Sequence, residues 1–252
     1  MKKYLLLLIP VVLISMNSCK KIGGHEIVPS SAGTGASGST GSTGSTGAAG
    51  STGSTGSSGG ATMVDTTKGY QPAATGNYWK YAESGSYVDT SLQKVTGTTT
   101  INNKLYSVIT AQSILSGNQT WYLSDINHTY TERATVQGNI IEILYLKDNV
   151  AVGTTWTAPA SDNGIINGVP AQVSGVLVGK NLSKTVSGKT YANVIHTTIL
   201  LQYNYGVGFT TSATYDYYIA NGIGIIETDA SLMLPGAPPT ATTTAIISYS
   251  IK

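Results

Sequence analysis

The pattern that decides the fold is clearest in Tyr215-Asp216-Tyr217-Tyr218-Ile219-Ala220, which is followed by Asn221-Gly222. Side chains of a β-strand point alternately to its two faces, so Tyr215 and Tyr217 share one face. Aromatic and β-branched residues favour strands. The glycine that follows is typical of a turn. The segment therefore predicts a β-strand with an aromatic face that ends at a tight turn.

Residues 63–252 repeat this pattern along their whole length. Short apolar or alternating runs are separated by clusters of Gly, Asn, Asp and Pro, and no long apolar period of 3.6 residues occurs. Such runs predict antiparallel strands joined by short turns. Twelve candidate strands run from Tyr78–Ser84 to Thr242–Ile251, with tight turns at Asn102-Asn103, Gln137-Gly138 and Ser187-Gly188. We predict an all-β, single antiparallel domain that forms a curved sheet, a half-barrel or a barrel-like sheet.

The two halves of this domain share a weak sequence repeat. Three pairs of segments match: Gly76-Asn77-Tyr78-Trp79 with Gly153-Thr154-Thr155-Trp156, Lys104-Leu105-Tyr106 with Lys189-Thr190-Tyr191, and Trp121-Tyr122-Leu123 with Tyr217-Tyr218-Ile219. Each half would be a short strand with a Trp, a hairpin of long strands and an aromatic strand. An internal duplication and a coincidence of β composition both explain these matches. Either interpretation predicts one sheet rather than two domains.

Residues 1–18 have the order of a secretory signal. Lys2 and Lys3 precede an apolar run of 11 residues, Tyr4–Ile14, and Ser15–Ser18 are mostly small or polar. The apolar run is shorter than the about 20 residues that a membrane-spanning helix needs. Cys19, the only cysteine of the chain, follows directly.

The segment that ends at Cys19 resembles the lipobox of bacterial lipoproteins, in the looser form found in Bacteroidota. The resemblance implies cleavage before Cys19 and attachment of lipid, with acyl chains such as palmitate, to its sulfur. Because Lys20 stands where an Asp would resemble an inner-membrane retention signal, the outer membrane is the expected location. No acidic stretch resembling a surface-export tag follows, which favours the periplasmic face over the cell surface. An unmodified cysteine in a leader is the alternative.

Between the signal and the domain lie a membrane-proximal segment, residues 19–29, and a linker, residues 30–62. The linker consists almost entirely of Gly, Ser, Thr and Ala, a composition typical of flexible chains. Glycine at every third position also matches the collagen period, although these triplets contain no proline. We expect a plain tether, with a trimeric collagen-like helix as the alternative. Beside it, Asp65-Thr66-Thr67 resembles a Bacteroidota O-glycosylation pattern, which makes Thr66 a candidate glycosylation site.

Composition narrows the classes of function. Residues 63–252 contain 10 Lys and Arg against 11 Asp and Glu, so the sequence shows no basic patch for a nucleic-acid partner. With no cysteine after Cys19, the domain has neither disulfides nor thiolate metal ligands. His25 lies near the anchor, which leaves His128 and His196, too few for a zinc site. We therefore predict no metal and no cofactor.

The weak candidates for a binding site are tyrosines. Tyr203 and Tyr205 share one strand face, as do Tyr215 and Tyr217. These pairs can be core ladders, or an aromatic surface that contacts a glycan or lines an apolar groove. No Gly-x-Ser-x-Gly elbow and no catalytic metal motif occurs, so catalytic residues are not assigned.

Three hypotheses for function follow. The first is a non-enzymatic envelope lipoprotein that binds or scaffolds a lipid, a glycan or an envelope protein, and is held to the membrane lipid through Cys19. The second is a hydrolase with dispersed active-site residues, which requires His128 or His196 near an Asp, Glu or Ser. The third is a surface adhesin or glycan-binding protein. A deep apolar concavity would favour a carrier, whereas exposed tyrosine ladders would favour adhesion or glycan binding.

The anchor hypothesis makes the first prediction. Cys19→Ala removes the sulfur that would carry the acyl chains, each of which contributes about 0.8 kcal/mol per buried CH₂ to membrane binding. We expect the variant to move from the membrane fraction to the soluble fraction. Unchanged membrane fractionation of the variant would contradict lipid anchoring at this residue.

Overall fold

The structure is a computed structural model that describes residues 69–233 and 238–252. These residues form thirteen β-strands and no helix. The strands are β1 Tyr78–Gly85, β2 Asp89–Ile101, β3 Lys104–Ser113, β4 Gly117–Ile126, β5 Thr129–Val136, β6 Asn139–Lys147, β7 Thr155–Pro159, β8 Ile165–Ile166, β9 Val169–Val186, β10 Lys189–Asn204, β11 Phe209–Ala220, β12 Gly224–Leu232 and β13 Thr240–Ser250. The prediction of an all-β antiparallel domain is confirmed.

All pairing in the sheet is antiparallel, in the order β6-β5-β4-β3-β2-β1-β13-β12-β11-β10-β9-β7, with β8 beside β9. The first and last strands, β1 and β13, are neighbours at the centre of this order. The two edge strands, β6 and β7, meet at a seam where Glu142 N donates to Ala160 O at 2.9 Å. The indole Nε1 of Trp156 donates to Leu144 O across the same seam at 3.2 Å. The sheet is therefore barrel-like and nearly closed.

The interior of this barrel-like sheet is filled by large side chains. Trp79, Tyr145, Tyr215 and Tyr217 are among the largest fully buried residues. The rings of Tyr145 and Tyr217 lie 5.4 Å apart, and those of Tyr215 and Tyr217 lie 6.1 Å apart. Two of the buried tyrosine hydroxyls have polar partners, since Tyr81 donates to Ile225 O at 2.8 Å and Tyr217 donates to Glu132 at 3.2 Å. The core is packed with aromatic residues and is not a hollow carrier cavity.

The two halves of the chain pair in the same register, at the positions where the sequence repeat occurs. Gly76 N donates to Val95 O, and Gly153 N donates to Leu177 O, at 2.9 and 2.7 Å. One residue further, Thr96 and Val178 form bulges in β2 and β9 that precede Gly97 and Gly179. The β1–β6 and β7–β13 halves are thus two copies of one meander, with β8 added to the second. An internal duplication explains this repeat of geometry, and remains an interpretation.

Both long hairpins fold back over strands beyond their direct neighbours. Lys104, at the end of the β2–β3 hairpin, reaches Thr131 of β5 and Glu142 of β6. Lys189, at the end of the β9–β10 hairpin, donates to the hydroxyl of Tyr249 in β13 at 3.1 Å. Each lysine also lies over the ring of a tyrosine two residues on, at 5.0 Å for Tyr106 and 5.4 Å for Tyr191. Both tyrosines are buried, so each hairpin end is packed onto the sheet.

Predicted turns agree with the structure, whereas some predicted strand ends do not. Asn102-Asn103, Gln137-Gly138 and Ser187-Gly188 have positive φ at both positions, as two-residue hairpin turns require. Twelve strands match the prediction, and the two-residue β8 was missed. Strand β9 continues to Val186 instead of ending at Lys180, because its pairing with the packed hairpin partner β10 extends that far.

Several predictions fall on residues that the structure does not describe. The signal, Cys19, residues 19–29, the linker at 30–62, Thr66 and the domain boundary at residue 63 all lie outside the described residues and stay predictions. Within residues 69–233 and 238–252, no helix is long and apolar enough to cross a membrane.

Packing at the Trp of the second half makes the next prediction. A Cβ on Gly175 would overlap the indole ring of Trp156, whereas a Cβ on Gly97 would meet no atom within 4 Å. Overpacking of a core costs about 1–3 kcal/mol. We expect Gly175→Ala to lower the melting temperature by about 3–10 °C. Gly97→Ala, the matched control in β2, should change it by less than about 2 °C. Equal effects of the two substitutions in thermal unfolding would contradict this packing.

Candidate functional site

The four candidate tyrosines lie mostly in the core. Tyr203, Tyr215 and Tyr217 are buried, whereas Tyr205 is about half exposed and stacks on Tyr203 at 6.1 Å. Burial raises the pKa of Tyr203 to about 12. The core-ladder interpretation therefore describes Tyr215 and Tyr217, and the four tyrosines do not together form an exposed aromatic surface; a ligand-binding role for any of them stays a prediction. The physical reason is that β11 is a central strand, with its aromatic face turned inward.

His196 has a carboxylate partner that the sequence did not reveal. Its Nε2 lies 2.8 Å from Asp216 Oδ1 on the neighbouring strand, and Thr198 donates to the same oxygen at 2.5 Å. The hydrogen bond from His196 holds the pKa of Asp216 below its usual range. The imidazole also stacks on Tyr218 at 4.4 Å. Because no serine hydrogen-bonds to His196 among the described residues, this pair lacks the nucleophile that a hydrolase of the Ser–His type requires.

His128 also lies beside a carboxylate, but on an exposed turn. Its Nδ1 is 2.7 Å from Asp148 Oδ1, and Tyr130 donates to the other oxygen of Asp148 at 2.8 Å. Glu132, four residues after His128 in sequence, is buried in the core and does not contact it. Glu83 and Glu142 are not paired either, because β1 and β6 are five strands apart in the sheet. No group of three or more His, Cys, Asp or Glu residues that could hold a metal occurs in the described part of the chain.

A network of charged side chains lies at the seam. Arg133 binds Glu142 at 3.1 Å and also pairs with Asp162, while Lys104 binds Glu142 at 2.9 Å. The hydroxyl of Tyr106 donates to Glu142 at 2.9 Å. The adjacent cavity has a volume of about 350 Å³. Every charge in this network has a partner, and the Arg133 hydrogen bonds hold the pKa of Asp162 below its usual range. The network joins β5, β6 and the segment after β7, and thus closes the seam.

A single carboxyl group is fully buried inside the sheet. Glu132 accepts a hydrogen bond from Tyr217 at 3.2 Å, and its other oxygen has no hydrogen-bond partner. Burial raises the pKa of Glu132 to about 8, and burial also raises the pKa of the neighbouring Glu83 to about 7. The cavity beside them has a volume of about 20 Å³, which is enough for one water and too small for an organic ligand.

Exposed apolar side chains collect at one end of the barrel-like sheet. We call this end the upper end. It is formed by six connections, at residues 86–88, 114–116, 137–138, 160–168, 205–208 and, between β12 and β13, the described residues 233 and 238–239. The three most exposed large apolar side chains of the described residues all lie there: Val207 is 87%, Ile114 82% and Val88 76% exposed. None of the six connections contains Lys or Arg.

Six exposed apolar residues on or beside neighbouring turns of this end make up what we call the apolar arc. It consists of Val88, Ile114, Leu115, Val207, Phe209 and Met233, all of which are exposed. In the sheet order, the β3–β4, β1–β2, β12–β13 and β10–β11 turns are consecutive. Neighbouring turns are two strands apart, or about 10 Å, so the arc extends over about 30 Å. Exposed apolar side chains gathered on neighbouring turns mark an interaction site more often than isolated exposed residues do.

Sequence reasoning missed the arc, although a signal was present. Apolar residues occur inside turns, as in Ser113-Ile114-Leu115-Ser116 and Tyr205-Gly206-Val207-Gly208, where polar residues are usual. The fold was needed to show that these turns are neighbours.

No protein-family model matches the chain, and no curated protein sequence is significantly similar to it. Similar solved structures include a "putative lipoprotein" from Parabacteroides distasonis, at 10% identity and a TM-score of 0.43, covering 72% of this chain and 98% of that one. A "putative exported protein with YmcC-like fold" from Bacteroides fragilis is 8% identical, with a TM-score of 0.38, covering 72% of this chain and 99% of that one. Values this low carry no information about activity or ligands.

The buried carboxyl groups make a prediction about pH. An unfolded Glu has a pKa of about 4.3, so the raised values mean that the folded state keeps protons that the unfolded state loses. The contribution of these two carboxyl groups to the free energy of unfolding should therefore be fully present below about pH 4.3. It should fall as the pH rises towards 8, by at most about 1.4 kcal/mol per pH unit for each group. We expect Glu132→Gln to flatten the melting temperature between pH 7 and 8. Glu83→Gln, the control, should flatten it only below pH 7. A wild-type melting temperature that rises between pH 5 and 8 would contradict both assignments.

Proposed function

We propose that the chain is a cell-envelope lipoprotein, anchored through Cys19 in the outer membrane, whose β domain is a non-enzymatic binding module. The apolar arc is the contact surface, and its partner is another envelope protein that presents an apolar patch. The lipobox-like segment that ends at Cys19, and the Gly/Ser/Thr-rich residues after it, support the anchor and a tether.

The observation that carries the proposed binding role is the apolar arc itself. Four consecutive turns expose aliphatic and aromatic side chains of up to 87% fractional exposure, without a lysine or arginine among them. Water around such side chains is released when a complementary apolar surface covers them, at about 25 cal/mol per Å². An uncharged apolar patch with Ser and Gly around it matches the composition of a protein–protein contact centre, where charged residues are depleted.

Other occupants fit less well. A glycan needs flat exposed aromatic rings, and the arc is mostly aliphatic, with the tyrosine ladder buried. An anionic membrane surface attracts lysines, which the upper end lacks. A lipid carrier needs a deep apolar cavity, and the interior of the sheet is filled by aromatic side chains. A hydrolase of the Ser–His type needs a nucleophile hydrogen-bonded to the imidazole of His196, and in the described residues the imidazole contacts Asp216, while the hydroxyl of Thr198 donates to Asp216 instead.

Substitutions in the arc test the proposal. Val207→Asp places a charge at the most exposed position of the arc, and surface changes of this kind alter stability by at most about 0.5 kcal/mol. The lipidated protein carries a photo-crosslinking residue at position 88 and is irradiated in intact cells of its source. We expect one crosslinked envelope protein, and at least a tenfold loss of affinity for that purified partner in Val207→Asp.

The matched control is Val152→Asp, because Val152 is 56% exposed on a connection at the opposite end. This variant should crosslink and bind as the wild type does. If the two substitutions weakened binding equally, or if the only crosslinked partner were a second copy of this chain, the arc would not be the surface for a different protein. Crosslinks from a probe at position 152 alone would contradict the proposal as well.

A further inference from the structure

The lysines of the domain collect at the end opposite the apolar arc. We call this the lower end, formed by the connections at residues 102–103, 127–128, 148–154, 187–188 and 221–223. Seven of the eight lysines among residues 69–233 and 238–252 lie in its turns or in the strand parts next to it. The remaining one, Lys94, pairs with Tyr78, the first residue of β1. The eight are Lys80, Lys94, Lys104, Lys147, Lys180, Lys184, Lys189 and Lys252.

The ammonium groups of three of these lysines are unpaired in the described part of the chain. Lys80, Lys94 and Lys147 form no salt bridge and no side-chain hydrogen bond in the described part of the chain, and Lys80 and Lys94 are exposed. The register Tyr78↔Lys94 and Lys80↔Leu92 places Lys80 and Lys94 diagonally on one face of neighbouring strands. By contrast, Lys104 and Lys184 are paired with Glu142 and Glu227.

The acidic groups at this end do not neutralise the three lysines. Asp148 is held by His128 and Tyr130, and Asp125 lies beside the same turn. Lysines of β1, β3, β6, β9 and β10 therefore lie around the lower end, while the described residues of the six upper connections include none. This segregation gives the domain a positive pole, although its sequence is nearly neutral.

Gly69, at which the described part of the chain begins, lies at the lower end. Gly69 O accepts a hydrogen bond from Gly222 N, in the β11–β12 turn, at 2.6 Å. A groove of about 390 Å³ lies nearby, with Pro72, Leu105, Leu123 and Ile126 among its apolar residues. Leu105 and Ile126 are exposed at its rim, and the buried hydroxyl of Ser124, which has no hydrogen-bond partner, lines it.

We infer that the lower end docks on a lipid surface that carries anionic phosphate headgroups. The unpaired lysines contact the phosphates, and Leu105 and Ile126 enter the interface beside them. Each lysine near such a surface strengthens binding several-fold. The inference deepens the proposed function and rests on it only for orientation, because a domain docked by its lower end holds the apolar arc away from the membrane and open to a protein partner.

Vesicle binding tests the inference without the lipid anchor. The mature chain from residue 19, with Cys19→Ser, is sedimented with vesicles of phosphatidylglycerol and phosphatidylcholine (3:7), and with phosphatidylcholine alone. We expect binding to the anionic vesicles, at least tenfold weaker binding to the neutral ones, and loss of binding in high salt because surface charges are screened. Lys80→Gln/Lys94→Gln should weaken binding to the anionic vesicles about tenfold.

The matched control changes the same net charge at the other end. Asn118→Asp/Gln137→Glu lies at exposed positions beside upper turns and also removes two positive units from the net charge. It should leave vesicle binding within about twofold of the original. Equal losses in the two double variants, no preference for anionic vesicles, or tighter binding to a DNA duplex or heparin than to vesicles would overturn the inference. None of these outcomes bears on arc-dependent crosslinking, so failure of this inference is distinguishable from failure of the proposed function.

Discussion

The pairing of β1 with β13 is the contact on which the rest of the structure depends. Eight residue pairs, from Tyr78↔Ser250 to Gly85↔Thr242, join the beginning of the domain to its end. This pairing fuses two meanders into one sheet and brings Trp79 and Ile246 into a common core. Contacts between residues so far apart in sequence cost loop-closure entropy before they are formed. The aromatic core offsets that cost only because both meanders contribute to it.

The two junctions between the meanders are closed in different ways. Strands β13 and β1 form a full ladder, while the equivalent strands β6 and β7 share one backbone hydrogen bond, Glu142 N to Ala160 O. At this seam, Arg133 links Glu142 to Asp162 by side chains. Ion pairs between side chains therefore take the place of ladder hydrogen bonds at this seam, where β7 is only five residues long. The cavity of the charged network lies beside these ion pairs, where the ladder of backbone hydrogen bonds is missing.

The turns and the repeat could be predicted from the sequence, because both depend on short-range patterns of residues. Asn102-Asn103 and Ser187-Gly188 predict their turns, and the Lys104/Lys189 and Trp121/Tyr217 matches align positions that are equivalent in the pairing. It was not sufficient for partners across strands. Asp216 is 20 residues from His196, and which face of β11 is buried depends on neighbours that alternation alone does not identify. For the same reason the sequence alone did not decide whether the four candidate tyrosines lie in the core or on the surface.

In an antiparallel meander, the turns are divided between the two ends of the sheet. Successive turns of antiparallel strands lie at opposite ends, so alternate connections along the chain share an end. The upper turns of this chain carry Val88, Ile114 and Val207, whereas lysines lie in the strands beside the lower turns. A nearly neutral sequence with no local basic cluster can thus fold into a molecule with one apolar and one positive end. The net charge of the domain therefore does not exclude a negatively charged partner, because such a partner meets the charge of one end and not the charge of the whole domain.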